Sequence, residues 1–151
     1  MQQPRRGVFV RTASPVEILE MFEVMAEVEA ACGRLAARRA TDSDIAELRQ
    51  ANAECQKARE AGDVDLYYHK NGVFHHLLYA QSGNRFLEQE ASRLHRRLKP
   101  YRRMQLFLRG RLQQSMEEHT AIVEAIAAGD APARPTCCAI TWRCRARSST
   151  T

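Results

Sequence analysis

The sequence has no apolar run long enough to cross a membrane. A membrane-spanning helix needs about 20 consecutive, predominantly apolar residues, whereas charged residues make up 27% of the 151 positions and interrupt the apolar stretches. Residues 1–11 also lack the apolar core of a secretory signal peptide. The apolar fraction of 44% is still sufficient for one globular core. We therefore expect a single folded domain that stays in the cytoplasm.

The cysteines lack the spacing of a zinc finger or a disulfide framework. Cys32 and Cys55 lie in stretches with a helical pattern, and we expect them to be small buried residues. Cys137, Cys138 and Cys144 crowd the C-terminal end, but they form no CxxC pair, and no His follows Cys138 at zinc-finger spacing. The spacing therefore argues against both kinds of cross-link.

Most of the chain also lacks the positive charge of a nucleic-acid-binding surface. The net charge is +5, but residues 1–11 carry three arginines and residues 131–151 carry four, with no acid in either segment. Residues 12–130 therefore have a net charge of −2. We expect this part of the chain to have a solvated helical surface of mixed charge rather than a DNA interface.

Apolar residues recur at intervals of three and four through most of the chain, which is the pattern of helices that bury one face. The first helix has a capping box formed by Ser14 and Glu17, with Pro15 in its first position. Further start signals lie at Thr41, at Asp63 or Asp65, and at Asn84.

The second half of the pattern contains a proline and a second capping box. Pro100 is expected to kink or break the fourth helix, and the helical pattern resumes at Tyr101. A break is expected around Gly110, after which Ser115 and Glu118 form a capping box for the last helix. These signals predict six helices and no strand pair. The predicted fold class is all-α, a single antiparallel helical bundle.

Three polar residues within this pattern could hold a metal ion. Asn71 and His75 are four residues apart and share one helical face about one turn apart, and His119 begins another amphipathic stretch. If the two helices pack, an amide oxygen and two imidazole nitrogens converge, which is how metal sites are built inside bundles. A helical His is more often an exposed or hydrogen-bonded residue than a ligand, so spacing alone leaves both interpretations open.

Three longer motifs resemble one known family. The segments are 22–38, the D/N-x3-H pattern of 71–78 followed by the S-x-N-x-x-L pattern of 82–87, and the E-H-x-x-I-x-x-A-I-x-x-G-D pattern of 118–130. Together they resemble the FCD domain, which is the effector-binding and dimerisation domain of the FadR subgroup of GntR-type bacterial transcription regulators. The resemblance covers residues 14–130 and implies a regulatory protein without enzymatic activity.

The resemblance also implies a metal and an effector. Asn71, His75 and His119 correspond to family metal ligands for a divalent ion such as Zn or Ni, although Asn71 is neutral where many members have Asp. The implied effector is a small carboxylate metabolite, and the implied assembly is a homodimer. Arg102, Arg103 and Tyr67 are additional candidates for effector binding.

The N-terminal residues depart from the full-length family pattern. Residues 5–10 resemble the last strand of the winged helix-turn-helix that precedes this domain in the family. We interpret residues 1–12 as a remnant of that domain and residues 13–130 as the ligand-binding and dimerisation domain. Because no DNA-reading helix is present, we expect DNA binding only through the missing N-terminal domain.

The tail, residues 131–151, departs as well. The family has a further His ligand in this region, and Thr141 holds that position here. The segment lacks helical periodicity and acidic residues. If each codon is read one base earlier, the junction of Ile140 and Thr141 can encode only His, Tyr or Asn. We therefore interpret the tail as translated out of frame, with an ordinary disordered tail as the alternative.

Two other functions are alternatives to an effector-binding domain. A small metal-dependent hydrolase needs a general base beside the metal; Glu117 and Glu118 precede His119, but no HExxH spacing occurs. A purely structural interaction module would bind neither metal nor effector.

Of the other histidines, His76 points about 100° away from its neighbour His75 on a helix. His69 and His95 are expected to be solvated.

Overall fold

A computed structural model describes residues 12–130. Apart from Thr12, the predicted N-terminal remnant lies outside the described residues, and so does the tail with Thr141. The described part contains five helices and no strand: α1 (Pro15–Arg39), α2 (Asp42–Glu60), α3 (Val64–Gln81), α4 (Arg85–Gln105) and α5 (Arg111–Ala127). The prediction of an all-α bundle is confirmed, with five helices instead of six.

The first four helices begin where the sequence predicted. The Ser14 hydroxyl accepts a hydrogen bond from the Glu17 N–H at 3.2 Å, and the Glu17 carboxylate accepts one from the Ser14 N–H at 2.8 Å. Thr41 forms the same capping box at α2, and the side chains of Asp63 and Asn84 cap α3 and α4. Because such a cap stabilises a helix by about 1 kcal/mol, these boundaries are encoded locally.

Pro100 was expected to kink or break the fourth helix; the helix does not break there, and this explains the helix count. α4 continues through Pro100 to Gln105, with Leu98, Arg102 and Gln105 buried along one face. Proline in a helix interior costs about 3 kcal/mol, and we infer that the buried face compensates for that cost. The break expected around Gly110 is confirmed, since α4 ends at Gln105 and α5 begins at Arg111; Gly110 has a φ of 78°, a left-handed conformation that glycine adopts readily.

The predicted capping box at Ser115 is also wrong. α5 begins one turn earlier, at Arg111, so Ser115 lies inside the helix with only 3% of its surface exposed. Its partner in the pattern, Glu118, forms an ion pair with Arg111 at 3.0 Å. Ser115 and Glu118 therefore lie within α5, where both make side-chain contacts.

The apolar core is built from residues of all five helices. α3 packs against α1, α2 and α4, and α5 packs against α1 and α2. No helix in the described part is both long and apolar enough to cross a membrane. The largest fully buried apolar side chains are Met25, Leu48, Tyr67, Phe74, Leu78, Tyr79 and Leu98.

Candidate metal and effector site

A group of polar side chains lies buried inside this apolar bundle. Burying polar groups costs free energy unless they are paired, so a buried group of this kind requires an explanation. We call it the polar cluster, and α1, α3, α4 and α5 all contribute to it. Its members are Glu29, Asn71, His75, Tyr79, His95, Arg102, Ser115 and His119.

The structure brings Asn71, His75 and His119 to this cluster. Asn71 and His75 lie one turn apart on α3, and Ser115 and His119 lie one turn apart on α5. The Ser115 hydroxyl donates a hydrogen bond to Asn71 Oδ1 at 3.5 Å. The rings of His75 and His119 are 5.2 Å apart between centroids and nearly perpendicular.

His119 is the most deeply buried of the candidate ligands, with 1% of its surface exposed. Its ring stacks on Phe74, and neither ring nitrogen has a hydrogen-bond partner among the described residues. Burial lowers the pKa of His119 well below the ordinary value. The ring is therefore neutral, which is the form of imidazole that binds metals.

His75 lies between two charged side chains. Its Nε2 is 3.3 Å from Nη2 of Arg102, and its Nδ1 is 3.0 Å from Oε1 of Glu29, although the latter contact lacks hydrogen-bond geometry. Arg102 Nη1 is also 3.3 Å from the same Glu29 oxygen. His75, Arg102 and Glu29 therefore contact one another pairwise across α3, α4 and α1.

The prediction that His95 is solvated is wrong. His95 is buried, and its Nδ1 is 3.1 Å from the hydroxyl of Tyr79, which donates a hydrogen bond to Glu29 at 2.6 Å. Because that hydroxyl has a single proton, His95 Nδ1–H donates to Tyr79. Burial, followed by the charge of Arg102, lowers the pKa of His95 to about 2, so its ring is neutral.

The effector candidates occupy three different environments. Arg102 belongs to the polar cluster, whereas Arg103 is exposed, pairs with Asp65 and is not brought to the cluster. Tyr67 is fully buried one turn before Asn71, and its hydroxyl lies beside Ser115 without forming a hydrogen bond. Burial raises the pKa of Tyr67.

The candidate metal ligands are two imidazoles and one amide. No group of three or more His, Cys, Asp or Glu side chains in residues 12–130 is arranged to hold a metal ion. Imidazole nitrogen and amide oxygen are nevertheless ligands of Zn, Ni and related ions. The unpartnered nitrogens of His119 and its 5.2 Å ring separation from His75 fit a small divalent ion that retains open coordination positions.

Sequence comparison supplies the family. The FCD domain matches residues 20–137, which is more than half of the chain. The chain belongs to the FCD domain family. No curated protein matches this FCD chain.

Two solved structures share the fold. Streptococcus agalactiae GntR has a TM-score of 0.64 and 22% sequence identity, over 75% of this chain and 49% of that one. E. coli McbR/YncC has a TM-score of 0.71 and 22% identity, over 85% of this chain and 62% of that one. The FCD chain therefore spans less than two thirds of the length of either protein, and at this identity the likeness shows the fold alone.

Several residues of the polar cluster were not predicted as site residues. Glu29 is an acidic residue between the buried residues Ala26 and Cys32 of α1, and this interruption of an apolar stripe is a signal that the sequence contains. Tyr79 lies four residues after His75 and therefore on the same face of α3. The outward positions of His69 and His76 agree with the prediction, since both are exposed.

Proposed function

We propose that this FCD domain is the effector-binding and dimerisation domain of a GntR-family transcription regulator of the FadR subgroup. It senses a small carboxylate metabolite through a helical pocket that contains a divalent metal, Zn or Ni. Family membership supports a regulatory rather than a catalytic role. Such a regulator acts in the cytoplasm and reaches DNA through a separate N-terminal domain.

The observation that carries this proposal is the unpartnered state of His119 beside His75. Two buried nitrogens without hydrogen-bond partners destabilise the folded state. A purely structural role for His119 does not account for this cost, whereas metal binding does. Asn71, His75 and His119 would hold the ion, and their ring and amide atoms lie inside the bundle. When bound, a divalent ion offers open positions to the carboxylate of an effector.

The guanidinium of Arg102 supports an anionic effector. The candidate ligands Asn71 and His119 are neutral, and Arg102 is the cluster's guanidinium, paired with the Glu29 carboxylate until an effector carboxylate takes its place. A buried guanidinium forms strong, directional hydrogen bonds with a carboxylate because the local dielectric is low. Arg102 therefore orients the carboxylate end of the effector. Tyr67, one turn before Asn71 on α3, offers its hydroxyl to the effector.

The exposed faces of α1 and α4 support the homodimer. On α1, Val16 is 62% exposed and shares a face with Glu20 and Glu27. On α4, Phe86 is 81% exposed and shares a face with Arg93 and Arg97. Because α1 packs against α4 within one chain, a two-fold axis can place the acidic face of each copy on the basic face of the other.

Metal and effector binding can be tested together on the purified domain. Elemental analysis should find a stoichiometric amount of Zn or Ni, and adding the metal and then lactate, succinate or citrate should raise the melting temperature. A ligand at 100 times its Kd stabilises a protein by about 2.7 kcal/mol. The variant His119→Ala should lose the response to metal.

The same experiment separates the alternative functions. A domain that contains no metal and responds to neither ligand would be a structural interaction module. Consumption of the carboxylate during incubation with metal would instead indicate a hydrolase or another enzyme, since a sensor binds its ligand without changing it.

A further inference from the structure

The nearest cation to the His75 ring is the guanidinium of Arg102. Arg102 Nη2 lies 3.3 Å from His75 Nε2. An arginine side chain has donors and no acceptor, so Nε2 is the acceptor in this contact and its lone pair points to Arg102. An sp² nitrogen has one lone pair, which cannot serve a guanidinium N–H and a metal ion at the same time.

We propose that Arg102 is a resident cation that competes with the metal for His75, so that metal binding requires Arg102 to leave Nε2. This inference rests on the proposed metal site. A metal ion would lie about 2.0–2.1 Å from the nitrogen that binds it, which places it within a few ångströms of the guanidinium. At such a short distance in a buried site, two cations repel each other strongly.

Glu29 holds Arg102 in this competing position. The Glu29 Oε1 atom lies 3.3 Å from Arg102 Nη1 and accepts the hydrogen bond of Tyr79 at 2.6 Å. The other buried arginine of the described residues, Arg111, pairs with Glu118 at 3.0 Å instead. The contact with Glu29 therefore selects Arg102 as the cation beside His75.

This competition links the metal site to the packing of α1 against α4. Glu29 lies on α1 and Arg102 on α4, so movement of the guanidinium away from His75 changes a contact between these two helices. The exposed faces of the same helices are the proposed dimer surface. Metal loading is thereby coupled to the helices through which two copies meet.

The test measures Ni²⁺ binding by calorimetry and by elemental analysis after desalting. Arg102→Met removes the charge and keeps a long, flexible, apolar side chain, and we expect it to bind Ni²⁺ at least tenfold more tightly than the unaltered domain. Arg96→Met is the matched control, because Arg96 is exposed on the same helix and its loss changes the net charge equally. It should leave Ni²⁺ affinity unchanged.

A second variant guards against loss of the fold. Arg102→Met leaves Glu29 buried without its guanidinium, whereas Glu29→Gln combined with Arg102→Met neutralises both partners. The double variant should also bind Ni²⁺ at least tenfold more tightly, and adding His119→Ala to it should abolish binding.

The outcomes separate this inference from the proposed function. If the unaltered domain and both Arg102 variants bind Ni²⁺ equally well, the metal site stands and the competition does not exist. If only the Arg102 variants bind, the competition is supported and a native metal is not. If none of these proteins binds Ni²⁺, both proposals are overturned.

Discussion

The ring of His119 lies flat on the ring of Phe74, with the centroids 4.0 Å apart and the planes inclined by 19°. Phe74 is fully buried and precedes His75 in α3. A single apolar residue on α3 therefore orients the imidazole that α5 contributes. Loss of a group that orients a metal ligand typically lowers metal affinity by about 10–100-fold.

Phe74→Leu should therefore weaken Ni²⁺ binding by about tenfold, because the imidazole of His119 loses the surface that fixes its ring. Calorimetric titration measures the affinity. Phe22→Leu is the control, since Phe22 is a buried core residue of α1 outside the polar cluster. An equal loss of affinity in the two variants would show that the effect is general core loosening and not orientation of His119.

The stability of the Glu29–Arg102 pair should depend on which partner is removed. Arg102→Met alone should lower the free energy of unfolding by about 3–5 kcal/mol, because it leaves a buried carboxylate without its cation. The double variant Glu29→Gln with Arg102→Met should recover most of that loss. Urea unfolding measures both. Strictly additive effects of the two substitutions would mean that the residues do not interact.

Features decided by local chemistry were predictable from the sequence. Ser14 and Asp63 cap their helices through atoms only three residues away, and the four-residue spacing of Asn71 and His75 places them on one face in any α-helix. Such features do not depend on how the helices pack.

Features decided by contacts between helices were not predictable. Pro100 lies inside α4 because buried residues on either side of it hold the helix together, and Ser115 lies inside α5 beside Asn71. Whether a charged or titratable residue such as Glu29 is buried depends on a partner such as Tyr79, which lies fifty residues away. No window of local sequence contains that partner.

Two glycines should respond in opposite directions to alanine. Gly110 has a φ of 78°, a conformation that costs a residue with a Cβ about 1–2 kcal/mol, so Gly110→Ala should be destabilising. Gly72 is helical and a Cβ there would meet no atom within 4 Å, so Gly72→Ala should stabilise the domain by up to about 1 kcal/mol. Thermal or urea unfolding checks both signs.

The thiols of Cys32 and Cys55 should be unreactive in the folded domain. Both are fully buried, and burial raises the pKa of each thiol from its ordinary value near 9 to about 12. Alkylation with iodoacetamide at pH 8 followed by mass spectrometry should leave both cysteines unmodified until urea is added. Modification of either cysteine at the rate of a free peptide thiol would contradict their burial.

The same shift predicts how stability depends on pH. The unfolded thiols ionise near pH 9, whereas the folded ones stay protonated until about pH 12. A raised pKa in the folded state stabilises the fold fully below the unfolded value and loses that contribution as the pH rises towards the folded value. The free energy of unfolding should therefore fall between pH 9 and 12, and less steeply in Cys32→Ala with Cys55→Ala.

Dimerisation should depend on the exposed face of α1. Val24 is 55% exposed among the acidic residues of that helix, and Val24→Arg would place a guanidinium in the proposed interface, opposite the basic face of α4. If α1 of one copy meets α4 of the other, this charge is repelled by Arg93 and Arg97 across the interface, so the variant should be monomeric in light scattering coupled to size-exclusion chromatography. Val73→Arg adds the same charge to α3, where Val73 is 44% exposed, and should stay dimeric. Dissociation by Val73→Arg and not by Val24→Arg would move the interface from α1 to the α3 side of the bundle, and the link between the metal site and dimerisation through Glu29 and Arg102 would then be lost.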